Sequence, residues 1–127
     1  MKEIITISTQ NAPQAIGPYS QAKQFENLIF VSGQIPLNNK GEFIKGDIKV
    51  QTKQVLENLS AVLKEANSSL NNVIKTSVFL TNMDDFIAMN EVYESYFGEN
   101  KPARSTICVK ELPRKALVEI ECIAVRL

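Results

Sequence analysis

The chain contains no histidine. The commonest general base and the commonest metal ligand are therefore both missing. Neither a Ser-His-Asp nor a Cys-His pair can be assembled within it. Its two cysteines, Cys108 and Cys122, lack CxxC spacing and read as small hydrophobes within strands. No GxGxxG or P-loop pattern occurs, so a nucleotide cofactor has no support, and neither cofactor nor metal is expected. No window approaches the roughly 18 apolar residues of a membrane span. Met1-Lys2-Glu3-Ile4-Ile5-Thr6 turns polar at once instead of building a signal-peptide core. The expected location is the cytoplasm, with no membrane partner. Neither charge sign is in excess: Lys+Arg and Asp+Glu are 14 each. A nucleic-acid binder usually shows a basic surplus, so no specific nucleic-acid partner is expected. Zero net charge also does little to keep subunits apart. Any chemistry must come from Arg, Glu, Asp, Tyr, Ser, Thr, Lys, backbone groups and water.

The 127 residues fit one domain spanning 1–127. A chain of this size buries roughly two-thirds of its unfolded surface, enough for a core without disulfide or metal support. Ile- and Thr-rich Lys2–Ser8 reads as a strand. Asn11–Ser20 is a loop broken by Pro13, Gly17 and Pro18. Gln21–Phe25 and Leu28–Ser32 form a hairpin about Glu26-Asn27, ended by Gly33 and Pro36. A helix runs from Ile48 to Ala66 behind an Asp47 N-cap. Its stripe of Val55, Leu56, Leu59, Val62, Leu63 and Ala66 packs on a sheet. Val73–Thr81 is a strand. Asp84–Phe97 is a second helix, stopped by Gly98. Arg104–Val109 and Leu117–Arg126 are the last strands. The order β-ββ-α-β-α-ββ implies an α+β fold, a six-stranded mixed sheet with two helices on one face. Two helices cover one face only, so the other is expected to be covered by self-association.

Two short segments stand out chemically. Pro102-Ala103-Arg104-Ser105-Thr106 places a fixed cation at the start of an apolar strand. A guanidinium matches a carboxylate with two parallel hydrogen bonds. Val118-Glu119-Ile120-Glu121 puts both glutamates on one strand face. Together they suggest a site for a small organic acid. For Arg104 the alternative is a solvated surface cation, and for Glu119 an interface ion pair. Asn90 lies on or beside the apolar face of the second helix, where an amide needs partners. It either holds backbone or faces a ligand.

Across nearly its whole length the chain resembles the RidA family, the reactive-intermediate (enamine/imine) deaminases. The likeness rests on Asn11-Ala12-Pro13, Ile16-Gly17-Pro18-Tyr19-Ser20-Gln21 and Val31-Ser32-Gly33-Gln34-Ile35-Pro36. Val73-Ile74-Lys75-Thr76, Pro102-Ala103-Arg104-Ser105 and Glu119-Ile120-Glu121 continue it in order. The resemblance implies a fold like that of the small trimeric chorismate mutases, a homotrimer with active sites in intersubunit clefts. It implies hydrolysis of 2-aminoacrylate-type enamines and 2-imino acids to 2-oxo acids and ammonium, without metal or organic cofactor. Arg104 would grip the substrate carboxylate and Glu119 would activate water. Tyr19 would line the cleft and hydrogen-bond substrate or shuttle a proton, or else only pack. Ser32 and Gly33 would approach the ligand, and Phe86 and Asn90 would flank it. Many members carry cysteine where this chain has Thr106. A thiol role there is excluded, but the resemblance assigns the reacting water to that position's carbonyl, which Thr106 keeps. The family also carries attributions of endoribonuclease activity and translation inhibition. A non-catalytic trimer that binds small carboxylates is a further alternative.

Overall fold

The computed structural model describes residues 2–127. Six strands and two helices follow the anticipated order. They are β1 (Ile4–Ile7), β2 (Ala22–Phe25), β3 (Leu28–Gln34), α1 (Ile48–Glu65), β4 (Val73–Leu80), α2 (Phe86–Phe97), β5 (Ala103–Cys108) and β6 (Val118–Val125). The sheet order is β1-β2-β3-β6-β4-β5. Only β4 and β5 pair in parallel, which makes the sheet mixed.

Helix α1 begins where its capping chemistry starts it. The Asp47 carboxylate accepts the Val50 N–H at 3.0 Å, and Asp47 itself is extended. The predicted stripe of Val55, Leu56, Leu59, Val62 and Leu63 is fully buried. Truncating one of these leucines to alanine is expected to cost about 2–5 kcal/mol. On the sheet, Val78, Leu80, Val118, Ile120 and Ala124 meet the helices. The opposite face carries Ile4, Phe25, Leu28, Phe30 and Ile107 exposed to solvent.

One local reading needs correction, and two turns have backbone worth noting. Strand β3 does not end at Gly33. It continues to Gln34 through a bulge, because Val31 pairs with Cys122 while Gln34 pairs with Ile120. Three steps on β3 oppose two on β6, so Val31 and Gln34 both stay buried while Ser32 and Gly33 are left half-exposed between them. Gly98 follows the last residue of α2, as expected. Its backbone is right-handed, and the reversal falls at Lys101, with φ of 50° and its N–H on the Phe97 carbonyl. The connection between β5 and β6 contains Arg114 and Lys115 with φ of 59° and 58°. Two successive left-handed residues that are not glycine store strain.

Candidate active site

Arg104 lies on edge strand β5, in register with Thr76 of β4. Thr76 is fully buried toward the helices, so Arg104 projects from that same face. There α2 receives it. Its Nη1 donates to the Asn90 Oδ1 at 2.7 Å. Its guanidinium carbon sits 4.8 Å from the Tyr93 ring centroid and 5.6 Å from that of Phe86. Asn90 thus holds the arginine itself, not backbone. Tyr93 is held by a 2.7 Å hydrogen bond between its hydroxyl and that of Thr76. Burial raises the pKa of the Tyr93 phenol, which keeps it neutral beneath the cation. Among the described residues no carboxylate comes within 4.0 Å of Arg104. A half-buried guanidinium oriented by an amide and two rings keeps most of its donors for another partner. A cavity of about 480 Å³ opens beside it, lined by Asn90, Tyr93, Phe97 and Pro102 among others.

Thr106 shares the face of Arg104 two residues on. Its hydroxyl is buried without a hydrogen-bond partner. Its strand is the edge of the sheet, where backbone groups on the outer side are unpaired.

Glu119 belongs to a different surface. It pairs with Phe79 of β4, whose neighbours Val78 and Leu80 are buried toward the helices. Glu119 therefore projects from the open sheet face. Its carboxylate lies directly over Gly33 in the β3 bulge, where a β-carbon would overlap Oε2. Gly33 does not have positive φ. Glycine is needed at 33 for space, and the group it admits is Glu119. No cation pairs with Glu119 among the described residues. Burial pushes its pKa above the ordinary carboxylate value, and the charge of Glu121 adds to the rise.

Tyr19 and Ser32 lie on this second surface. Gln21 staples the loop that bears Tyr19: its Oε1 accepts the Thr9 N–H at 2.7 Å, and its Nε2 donates to the Thr9 and Pro13 carbonyls at 3.1 and 2.7 Å. The Ser32 hydroxyl donates to the Ser20 carbonyl at 2.6 Å. Its proton is thus spent on the loop, and its lone pairs remain as acceptors. Tyr19 stands 54% exposed.

The candidate residues thus form two groups on opposite faces of one sheet. Arg104, Thr106, Asn90 and Phe86 make one, and Glu119, Gly33, Ser32 and Tyr19 make the other. Tyr93 was not among the residues the sequence singled out for the site. The signal was its place three residues after Asn90 on the same face. The buried thiol of Cys122 has its pKa pushed up to about 12, which keeps it protonated.

The family model described as Endoribonuclease L-PSP matches residues 9–126. The chain belongs to the RidA family. A RutC family protein of Pyrococcus horikoshii is 58% identical over 125 residues, 98% of each chain. The 2-iminobutanoate/2-iminopropanoate deaminase of Mus musculus is 48% identical over 121 residues, covering 94% of this chain and 90% of that one. The crystal structure of Escherichia coli TdcF with bound serine superposes with a TM-score of 0.91 at 41% identity, covering 97% of this chain and 99% of that one. This RidA-family chain has, among its described residues, no helix long and apolar enough to cross a membrane.

Proposed function

We propose that this RidA-family chain is a hydrolytic deaminase of 2-imino acids and their enamine tautomers. The observation that carries this reading is Arg104, a guanidinium oriented by Asn90, Tyr93 and Phe86 with no carboxylate of its own. Such a fork suits a small carboxylate. The name of the murine relative and the serine bound to Escherichia coli TdcF support a small amino-acid-like substrate.

Arg104 and Glu119 leave opposite faces of their own sheet, so one molecule of substrate needs them from two subunits. The exposed apolar residues of the open face supply the reason to associate. Three copies packed sheet to sheet would set Glu119 of one subunit against the Arg104 edge of the next. In that cleft Arg104 holds the substrate carboxylate through two parallel hydrogen bonds. Glu119 and the Thr106 carbonyl orient a water against the C=N carbon. The substrate reacts as its protonated iminium: the water oxygen bonds to that carbon as the C=N π electrons move to nitrogen, and Glu119 takes a water proton. Glu119 returns this proton to the nitrogen of the carbinolamine. The C–N bond then breaks with its electron pair on nitrogen, the departing ammonia takes the hydroxyl proton, and 2-oxo acid and ammonium leave. The raised pKa of Glu119 suits both steps, because burial and Glu121 make its carboxylate a stronger base than an ordinary one.

The test generates 2-imino acids in situ with an amino-acid oxidase and follows 2-oxo acid formation with and without the protein. An expected acceleration over spontaneous hydrolysis, from an oligomer of three by light scattering, agrees with the proposal. No acceleration with any imine, or a monomer at micromolar concentration, overturns it. Cleavage of defined RNA that disappears in Arg104→Ala would favour a nuclease instead.

A further inference from the structure

A cavity of about 270 Å³ opens behind Gly33, lined by Pro13, Ile16, Tyr19, Ile35, Leu37 and Pro113 with several polar neighbours. Gly33 is the link to the chemistry, because it lines the cavity and the Glu119 carboxylate lies against it. The volume falls just under the roughly 300 Å³ where pockets for drug-sized ligands begin. The cavity therefore suits a fragment of a few carbons. Its amide side chains are already committed. Gln21 bonds three backbone groups of the loop, Gln34 donates to the Ser32 carbonyl, and Gln14 donates to the Thr9 carbonyl. Two polar groups remain, the Tyr19 hydroxyl and the Arg114 guanidinium, which lies 6.0 Å from the Phe43 ring centroid. Most of the surface the cavity offers a ligand is apolar. Ile16 is 81% exposed, so its apolar surface is free to meet a ligand. The strained Arg114-Lys115 turn fixes the opposite rim.

We infer that this cavity receives the side chain of the 2-imino acid, and that Ile16, Ile35, Leu37 and Pro113 make the protein selective for aliphatic side chains of about four carbons. The inference rests on the deaminase reading. With the substrate carboxylate on Arg104 of the neighbouring subunit and the imine carbon at Glu119, the side chain is directed past Gly33. Burying each methylene is worth about fourfold in affinity. The leucine-derived imine has three more side-chain carbons than the alanine-derived one, so it is expected to be favoured by on the order of 50-fold.

The stable 2-oxo acid products serve as probes by calorimetry, alongside kcat/KM for the imines made in situ. Expected is tighter binding of 4-methyl-2-oxopentanoate than of pyruvate, with the same order in kcat/KM. Ile16→Ala changes an exposed position and leaves the fold alone. It should lower the leucine-to-alanine preference several-fold. Ile35→Phe fills the cavity and should reduce the preference to near one. Turnover with equal preference for both side chains in the wild type overturns the inference while leaving the deaminase reading intact. Tightest binding of 2-oxoglutarate also overturns it, because recognition would then belong to Arg114. Failure of every imine and every 2-oxo acid overturns both readings.

Discussion

The two halves of the candidate site treat their charges in opposite ways. Arg104 is cradled: an amide oxygen, two aromatic faces and a strand hold it, and no buried anion neutralises it. Glu119 is strained: it is half-buried over a glycine, with Glu121 as its nearest charged influence. A cradled cation is a binding device, since its geometry is fixed and its donors are free. A destabilised anion is a proton device, since its ionised form gains by accepting a proton. The same sheet offers both because β4 separates them, with one half on each face.

Removing the proton device is expected to have the largest effect. Glu119→Gln keeps shape but not basicity, and turnover should fall by about 10²–10⁴-fold. Affinity for a stable 2-oxo acid should barely change. An intact oligomer with wild-type turnover would end the assignment of Glu119 as base. Because the raised pKa disfavours the ionised form in the folded state, the same variant should also melt higher at neutral pH. Differential scanning calorimetry checks the sign.

Removing the binding device comes next. Arg104→Ala deletes one partner of a desolvated charge pair, worth roughly 2–5 kcal/mol, so kcat/KM should drop about 30- to several-thousand-fold. Arg104→Lys should rescue little, since an ammonium lacks the fork. The two inactive variants together test whether the halves come from different chains. Denatured, mixed in equal amounts and refolded, Arg104→Ala and Glu119→Gln should recover about one quarter of wild-type sites in a closed ring. Recovery of nothing would place both groups in one chain's site.

Gly33→Ala forces the carboxylate off the strand. A misplacement near 1 Å costs on the order of 10²-fold, and steady-state kinetics should show it in kcat more than in KM. The smallest effect is electrostatic. The acid limb of the wild-type pH–rate profile should lie above the ordinary value of 4.5, because burial and Glu121 raise the Glu119 pKa. Activity needs the ionised form, so it is lost as pH falls through that raised value. Glu121→Gln should move the limb downward. An unmoved limb would leave burial as the whole cause.

Much of this was legible in the chain. The stripe of α1 and the Asp47 cap follow from spacing and side-chain chemistry, and both stand within a residue of expectation. Strand alternation correctly set Glu119 and Glu121 together on a face that also carries Ile123 and Val125. The faces of Arg104 and Glu119 relative to each other were not legible. They depend on how β4 registers with β5 and β6 at once, and pairing between strands distant in sequence leaves no local mark. The bulge at Ser32-Gly33 was hidden because glycine at 33 also reads as a strand end. The left-handed turn at Arg114-Lys115 had no signal, since neither residue is a type that favours that backbone.

The Gln21 staple separates what the molecule must keep from what it can change. Its amide fixes the loop at Thr9 and Pro13 from the residue just before β2, and the Ser32 hydroxyl fixes it again at Ser20. Residues 14–19 hang between these anchors, and Ile16 and Tyr19 belong to that span. Substitutions there alter the cavity mouth without touching the core stripe or either charge. On the proposed reading, a change at Ile16 can shift selectivity while the core stripe and both charges stay as they are.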